Sequence, residues 1–194
     1  MRFMPLDLEG AYVIEPEPRE DERGFFARVW CAREMAAAGL ESTLAQASIA
    51  HSQRKGTLRG MHFQLPPHGE VKLVRCTAGA IFDAIIDLRP DSSTFLSSTH
   101  VVLSAENRRA LYVPKGFAHG YQTLEDHTEV LYQMSEFYTP GAEGGVRWDD
   151  PRFGIPWPDA DPRILSAKDQ ALPLFDEGQA AVFAGQARPG DGNR

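Results

Sequence analysis

Two histidines lie within apolar segments of the sequence, His62 in GTLRGMHFQ and His119 in AHGYQTLE. An imidazole gains and loses a proton close to neutral pH, which suits it to proton transfer with a substrate. Arg59 precedes His62 by three positions and adds a positive charge to the same segment. Whether these side chains act together depends on the elements that carry them.

Polar side chains also stand in two further apolar segments. A β-strand sends successive side chains to opposite faces, so the sequence predicts which residues share a face. In EVKLVRC, Lys72 shares a face with Val74, and in TEVLYQM, Tyr132 shares a face with Val130. A polar group in an otherwise apolar row is typical of a barrel interior that holds a ligand.

The segment 56–64 presents a geometric conflict. Strict alternation places Arg59 and His62 on opposite faces of a strand, although both would be needed in one pocket. A β-bulge between them would bring the two side chains to one face, and Gly60 suits such a bulge because it lacks a side chain. We therefore predict a bulge at Gly60.

The order of the segments indicates an all-β fold. Short apolar stretches alternate with polar, Gly or Pro breaks such as RPDSS and TAGA, which is the spacing expected of a jelly roll. We predict a single jelly-roll domain over residues 1–175, with a few short peripheral helices, followed by a poorly structured tail over residues 176–194.

Two short helices are predicted around the strands. The alanine-rich segment 31–40 favours a helix that ends at Gly39, a residue suited to the left-handed position after a helix. Near the end of the domain, Ser166 and Asp169 have the spacing of a capping box at the start of a second helix.

Two acidic residues resemble a pair of catalytic carboxylates. Asp83 and Asp87 alternate with Ile85 in AIFDAIIDL. No motif includes them, so we assign both aspartates a structural role.

Composition and charge exclude several classes of partner. The formal net charge of −7 argues against nucleic acid, which needs an excess of Lys and Arg, but a small anionic ligand needs only a few converging cations. No segment has the pattern of a signal peptide or the roughly twenty apolar residues of a membrane span, so we predict a cytoplasmic protein that binds no membrane. Cys31 and Cys76 form no CxxC pair and predict neither a disulfide framework nor a zinc site.

The histidine segments resemble the two metal-binding motifs of the cupin superfamily of jelly rolls. Residues 56–62 fit the opening of GX5HXHX3-4EX6G, and residues 114–119 fit the PxGxxH core of the second motif. The second histidine of the first motif is replaced by Gln64, and Glu70 comes late. An amide is a poor ligand for transition metals, so we predict a cupin-type double-stranded β-helix without a metal.

A narrower resemblance covers most of the chain up to about residue 170. The sequence is similar to the dTDP-4-dehydrorhamnose 3,5-epimerase family in the following segments, which occur in the family's order: DERGFF, GTLRGMHFQ, VKLVRCTAGAIFDAIIDLRPDSSTF, LYVPKGFAHGYQTLED, EVLYQMSEFYTPGAEGGVRWDDPRFGIPWP and LSAKD. The resemblance implies a homodimeric, metal-free and cofactor-free isomerase. Its substrate would be a nucleotide sugar, dTDP-4-dehydro-6-deoxy-D-glucose, inverted at C3 and C5 to dTDP-4-dehydro-L-rhamnose.

The same resemblance assigns four catalytic roles. His62 would remove a proton next to the 4-keto group, and Tyr132 would return a proton to the opposite face of the sugar. Lys72 would stabilise the enolate, where an ammonium contributes most in a water-poor pocket. Asp169 would pair with His62, a role that competes with its place in the capping box.

The resemblance also implies a set of substrate-binding residues. Arg59 and Arg23 would hold the diphosphate, Arg23 from across the dimer interface, and Tyr138 would stack on the base. The full predicted binding set comprises Arg23, Phe26, Gln46, Ser48, Arg59, His119, Tyr138, Glu143 and Lys168.

Two positions depart from the pattern of many family members. Arg28 stands where a glutamate is common, and Ser48 where an asparagine is common. These changes alter the hydrogen bonds offered to a ligand. They leave open a single-centre epimerase, another dTDP- or CDP-linked 4-keto sugar, or a cupin that only binds a nucleotide sugar. A metal-dependent cupin isomerase or dioxygenase is a further alternative.

Overall fold

The computed structural model describes residues 1–176 together with Gly178 and Phe183. Within these residues the chain forms thirteen strands and two short helices: β1 (Arg2–Pro5), β2 (Tyr12–Glu15), β3 (Arg19–Asp21), β4 (Gly24–Phe26), α1 (Ala32–Ala37), β5 (Gln46–Ser52), β6 (Leu58–Gln64), β7 (Lys72–Ala78), β8 (Ala80–Asp87), β9 (Ser98–Ser104), β10 (Ala110–Val113), β11 (Phe117–Thr123), β12 (Thr128–Met134), β13 (Glu143–Gly145) and α2 (Ala167–Gln170). Neither helix has the length or the apolar character needed to cross a membrane.

Two antiparallel sheets form the body of the protein. One has six strands in the order β1-β2-β10-β7-β12-β5, and the other has five in the order β13-β6-β11-β8-β9. Val74 and Val130 of the six-stranded sheet pack in one buried cluster with Ile81 and Ile85 of the five-stranded sheet. This core between two sheets, in which consecutive strands are not always neighbours, confirms the predicted all-β jelly roll.

The outer face of each sheet is also covered. On the six-stranded sheet, Leu73 and Tyr112 pack with Met35 of α1. On the five-stranded sheet, Met61 and Phe82 pack in a cluster with aromatic side chains from residues 153–183. Because β8 is covered on both faces, every residue of its sequence AIFDAIID is buried. A nearly continuous apolar sequence is typical of such a strand.

The two short helices lie where the sequence predicts them. Gly39 lies just beyond the C-terminal end of α1. Its φ of 72° is a left-handed conformation that favours glycine. Ser166 is the N-cap of α2, and its side chain accepts a hydrogen bond of 3.0 Å from the backbone N–H of Asp169.

The predicted tail, residues 176–194, lies largely outside the described residues. At Phe183, however, the chain is packed, with the side chain 1% exposed and its ring centroid 4.9 Å from that of Phe63. The ring of Phe183 covers the ring of Phe63 on the outer face of β6. The domain bounds and the poorly structured tail stay predictions.

A bulge on β6 resolves the conflict between Arg59 and His62. Arg59 of β6 pairs with Tyr121 of β11, and His62 pairs with His119. The two residues of β6 that lie between these pairs therefore face the single residue of β11 that lies between them. Gly60 has a φ of 137°, and a Cβ at this position would lie 2.5 Å from a backbone carbon of β11. The predicted bulge is confirmed, and it turns both polar side chains toward the same cavity.

Candidate active site

A cavity of about 760 Å³ opens between the two sheets and is closed on one side by the segment 164–172. Nine of the thirteen residues predicted for the site line it: Arg59, His62, Lys72, His119, Tyr132, Tyr138, Glu143, Lys168 and Asp169. Four do not belong to the lining among the described residues: Arg23, Phe26, Gln46 and Ser48. The interior of the jelly roll therefore collects most of the predicted chemistry.

His62 and Asp169 form a hydrogen-bonded pair in this cavity. The distance from His62 Nε2 to Asp169 Oδ1 is 2.7 Å. Burial opposes ionisation of Asp169, but hydrogen bonds from His62 and Ser166 outweigh it and hold the pKa of the carboxyl below its ordinary value. An ionised carboxylate only accepts, so His62 Nε2 carries the proton and Nδ1 is left free as a base.

The capping role of Asp169 and its pairing with His62 do not compete. The cap uses the backbone N–H of Asp169, which donates to Ser166 Oγ, whereas the carboxylate points to the imidazole. The side chain of Asp169 is only 7% exposed, while that of His62 is 39% exposed. Helix α2 thus fixes the carboxylate by its backbone and leaves the histidine accessible from the cavity.

Lys72 enters the cavity from β7 and is held at two points. Its Nζ lies 3.2 Å from Glu70 Oε1 and donates a hydrogen bond of 3.4 Å to the carbonyl oxygen of His62. Both charged side chains are largely buried, which strengthens their interaction relative to water. The sequence analysis assigns Glu70 no partner, and this contact shows that it orients the lysine.

Tyr132 approaches from the sheet opposite His62, since it lies on β12 and His62 lies on β6. Its ring packs edge-on against His119, with centroids 6.1 Å apart, and lies 6.3 Å from the ring of Tyr121. Burial raises the pKa of the Tyr132 phenol well above its ordinary value. The phenol therefore stays protonated at neutral pH and is available as a proton donor.

An exposed group of three side chains stands at the edge of the cavity. Glu143 accepts hydrogen bonds from the hydroxyl of Tyr138 and, at 2.7 Å, from Nζ of Lys168. The hydrogen bond with Glu143 raises the pKa of both Tyr138 and Lys168. Glu143 thus links the aromatic ring and the cation on either side of it.

Gln64 shows what replaces a metal ligand in this barrel. Its amide nitrogen donates to the carbonyl oxygens of His68 and Phe137 and to the carboxylate of Glu70, and its Oε1 accepts from the backbone N–H of Thr139. The amide is therefore fully engaged. Within residues 1–176, no three His, Cys, Asp or Glu side chains are grouped closely enough to hold a metal ion.

The four predicted residues that do not line the cavity lie on the β3–β4 hairpin and on strand β5. Arg23 is highly exposed and pairs with Asp21 within the β3–β4 hairpin, where Phe26 is 75% exposed. Gln46 Oε1 accepts a hydrogen bond of 3.0 Å from the backbone N–H of Tyr138. Ser48 is exposed and faces Tyr132 in the β5–β12 register.

Arg28, the first departure from the family pattern, is an ion-pairing residue. Its Nη1 lies 2.6 Å from Oε1 of Glu34 on α1, and the guanidinium stands away from the cavity lining among the described residues. The reversed charge at this position is thus compensated locally by a carboxylate six residues further along the chain.

Asp83 is the functional candidate that the sequence analysis misses. It is assigned a structural role there, but its Oδ1 lies 2.6 Å from Nε2 of His119, which lines the cavity. Both side chains are buried, and Asp83 is 0% exposed. The available signal is a carboxylate in a strand of apolar residues, since such a group requires a partner.

Comparison with known proteins agrees with this geometry. The family model described as dTDP-4-dehydrorhamnose 3,5-epimerase matches residues 5–177. The dTDP-4-dehydrorhamnose 3,5-epimerase of Salmonella typhimurium is 42% identical over 166 residues, which cover 85% of this chain and 90% of that protein. The dTDP-4-dehydrorhamnose 3-epimerase of Streptomyces niveus is 39% identical over 182 residues, covering 93% of this chain and 87% of that protein.

A solved structure is similar over nearly the whole described chain. The crystal structure of dTDP-6-deoxy-D-glucose-3,5-epimerase from Legionella pneumophila, in complex with dTDP-4-keto-L-rhamnose, is 34% identical. It superposes with a TM-score of 0.88 and covers 96% of this chain and 99% of the solved one. The chain therefore belongs to the dTDP-4-dehydrorhamnose 3,5-epimerase family.

Proposed function

We propose that this protein inverts C3 and C5 of dTDP-4-dehydro-6-deoxy-D-glucose and so produces dTDP-4-dehydro-L-rhamnose. The observation that carries the proposal is the placement of a base and an acid on opposite sheets of one cavity. His62, paired with Asp169 at 2.7 Å, is on β6, and the protonated phenol of Tyr132 is on β12. Inversion of a carbon needs proton removal on one face and proton delivery on the other.

The chemistry begins with the free nitrogen of His62. C3 and C5 flank the 4-keto group, so loss of either proton gives an enolate whose charge is on the C4 oxygen. His62 Nδ1 takes the proton, and Asp169 stabilises the imidazolium that forms. Lys72 stabilises the enolate oxygen, and Tyr132 then protonates the carbon from the other side. The reaction returns both groups to their starting states by proton exchange with water and needs no cofactor.

The edge of the cavity supports nucleotide binding. Arg59 is exposed at the cavity and is anchored by a hydrogen bond of 3.3 Å to the carbonyl oxygen of His51, so its guanidinium can meet the diphosphate. Tyr138 and Lys168 are held by Glu143 at the same edge. We assign Tyr138 to stacking on the base and Lys168 to the anionic part of the ligand.

A homodimer would complete the site. The β3–β4 hairpin pairs with neither main sheet in the described chain and exposes Phe25 and Phe26, while the edge strand β5 exposes Ile49 at 66%. An unpaired edge with apolar side chains is a surface suited to pairing with a second chain. In this arrangement Arg23, together with Phe26, reaches the partner's cavity, and Gln46 and Ser48 lie beside the incoming hairpin. The cytoplasmic location stays a prediction, which cell fractionation would test.

Proton exchange in heavy water tests the proposed reaction. The protein is incubated with dTDP-4-dehydro-6-deoxy-D-glucose in heavy water, and the H3 and H5 signals of the sugar are followed by NMR. We expect both signals to disappear as the inverted product forms. Binding of dTDP without exchange at either position would refute catalysis and leave a nucleotide-sugar-binding cupin.

Single-centre epimerisation is the second candidate. It is favoured by the 39% identity with the Streptomyces niveus protein, which is a 3-epimerase by name. The same experiment distinguishes the two, because a single-centre enzyme exchanges H3 or H5 alone. Repeating it with a CDP-linked 4-keto sugar tests whether the nucleotide is the one proposed.

A further inference from the structure

Gln64 lines the cavity two residues beyond His62 on β6. Its amide nitrogen donates a hydrogen bond of 3.2 Å to Glu70 Oε2, while Glu70 Oε1 lies 3.2 Å from Nζ of Lys72. Each oxygen of the Glu70 carboxylate thus has its own partner, and the carboxylate bridges the amide and the lysine. The proposed reaction uses Lys72 and gives Gln64 no part.

We propose that Gln64 is a positioning residue that holds Lys72, through Glu70, at a fixed place beside His62. The same amide holds the backbone on both sides of Tyr138, so it ties the reacting end of the cavity to the edge where the nucleotide binds. The inference rests on the proposed function and deepens it, because it says how the group that stabilises the enolate is kept beside the base.

The contacts of the Gln64 side chain require an amide. Its nitrogen donates to the carbonyl oxygens of His68 and Phe137 as well as to Glu70, and its Oε1 accepts a hydrogen bond of 2.8 Å from the backbone N–H of Thr139. Three acceptors thus surround the nitrogen and a donor faces the oxygen, so one orientation of the amide satisfies all four groups. A carboxylate would place an oxygen against three acceptors, and an apolar side chain would leave these groups without their partner.

Lys72 needs a support of this kind because its ammonium is carried on a flexible four-carbon chain. Its contact with the carbonyl oxygen of His62 is long, at 3.4 Å, so the carboxylate of Glu70 is the stronger constraint. Glu70 lies in the connection between β6 and β7, and Gln64 anchors its second oxygen to β6, the strand that carries the base. A displacement of about 1 Å between reacting groups can cost about 100-fold in rate, so this anchor affects kcat.

The second pair of contacts concerns the edge of the cavity. Gln64 bonds to the backbone of Phe137 and of Thr139, the two neighbours of Tyr138. The side chain of Tyr138 is exposed, so its place at the cavity depends on its backbone. Loss of the amide therefore loosens the residue assigned to stacking on the base, and it weakens binding of the nucleotide as well as catalysis.

The first test is the Gln64→Met variant, which keeps an unbranched side chain of similar length and removes all the hydrogen bonds of the amide. We expect kcat for the inverted product to fall by about 10- to 100-fold. We expect the Kd for dTDP, measured by isothermal titration calorimetry, to rise by about 3- to 10-fold, as for the loss of one hydrogen bond.

Gln122→Met is the matched control. Gln122 is a buried glutamine on β11 that donates at 2.9 Å to the carbonyl oxygen of Pro158 and accepts at 3.0 Å from Arg163. It does not belong to the cavity lining among the described residues. We expect this control to lose stability as Gln64→Met does, while its kcat and its Kd for dTDP stay within about threefold of the wild type.

Glu70→Gln separates the two parts of the inference. It removes the charge that holds Lys72 and leaves the contacts around Tyr138, so we expect kcat to fall by about 10-fold or more and the Kd for dTDP to stay within about threefold. If Gln64 acts on Lys72 through Glu70, adding Gln64→Met to Glu70→Gln costs less than about threefold more in kcat, whereas independent effects multiply.

A measurement on the side-chain amide of Gln64 does not depend on turnover or on the folding of Gln64→Met. In ¹H–¹⁵N NMR of the wild type, we expect the two amide protons to exchange slowly with water, because both are held by buried acceptors. We expect their chemical shifts to move in Glu70→Gln, which changes one of those acceptors.

The inference is overturned if Gln64→Met folds and matches Gln122→Met in kcat and in Kd for dTDP, if the two kcat effects multiply, or if Glu70→Gln leaves the amide signals of Gln64 unchanged. Each of these results, obtained with normal H3 and H5 exchange by the wild type, leaves the proposed function intact. No exchange by the wild type overturns the proposed function and the inference with it.

Discussion

Replacing Asp169 by Asn tests the assignment of the base most directly. The substitution keeps the shape of the side chain, and the N-cap of α2 survives because it uses the backbone N–H of residue 169. Two things are lost at the 2.7 Å contact with His62: the negative charge that stabilises the imidazolium, and the acceptor that fixes the proton on Nε2. An amide can donate to Nε2, which moves the histidine proton to Nδ1 and blocks the base.

The size of the effect follows from these two losses. A hydrogen bond between charged groups contributes about 1.5–3 kcal/mol, or roughly a factor of 10 to 100 in rate. The wrong tautomer adds to this, and changing the carboxylate of a histidine–aspartate pair to an amide lowers kcat by about 10⁴ in serine proteases. We therefore expect the Asp169→Asn variant to exchange H3 and H5 about 10²- to 10⁴-fold more slowly than the wild type.

The assay is the NMR exchange measurement in heavy water, with initial rates at saturating substrate. Asp149→Asn is the matched control, since Asp149 is an exposed aspartate that pairs with Arg147 at 2.8 Å outside the cavity lining. We expect the control to exchange within about twofold of the wild type, because exposed ion pairs contribute little. An Asp169→Asn protein that folds and exchanges both protons within threefold of the wild type would refute the role of the pair.

Three further predictions follow from the site and the fold. Tyr132→Phe removes the proton donor but leaves the base, so we expect H3 or H5 to exchange while formation of the inverted product falls by about 10²-fold or more, measured by NMR of the product. Gly60→Ala should lower the free energy of unfolding by at least about 2 kcal/mol in chemical denaturation, because its Cβ would lie 2.5 Å from a backbone atom at a positive φ; an unchanged midpoint would contradict this account. Burial opposes ionisation of Asp87, but hydrogen bonds from Arg89, Ser92 and Thr94 hold its pKa below the ordinary value. The contribution of ionised Asp87 to the free energy of unfolding is fully present above the unfolded-state pKa of about 4, and it is lost as the pH falls through the lower folded-state pKa. The free energies of unfolding of the wild type and Asp87→Asn should therefore converge as the pH falls below about 4.

The sequence alone determines the local features of this protein. Alternation assigns Lys72 and Tyr132 to the inner faces of their strands, and the structure places both in the cavity lining. A glycine between Arg59 and His62 predicts the bulge because glycine has no side chain and adopts a positive φ that other residues rarely adopt. These inferences succeed because they depend on a few neighbouring residues and on the fixed periodicity of a strand.

Only the tertiary structure decides which polar groups meet. Asp169 reaches His62 across 107 residues of sequence, and Asp83 reaches His119 across 36. The second contact is diagonal, because His119 pairs with Ile85 in the register of β8 and β11, while Asp83 pairs with Tyr121. A sequence pattern gives the face of each strand but not its register with a neighbour, and a shift of one pair would direct Asp83 to another partner. The local sequence thus supplies the polar groups and their faces, and long-range strand pairing, which no local pattern encodes, selects which of these groups meet.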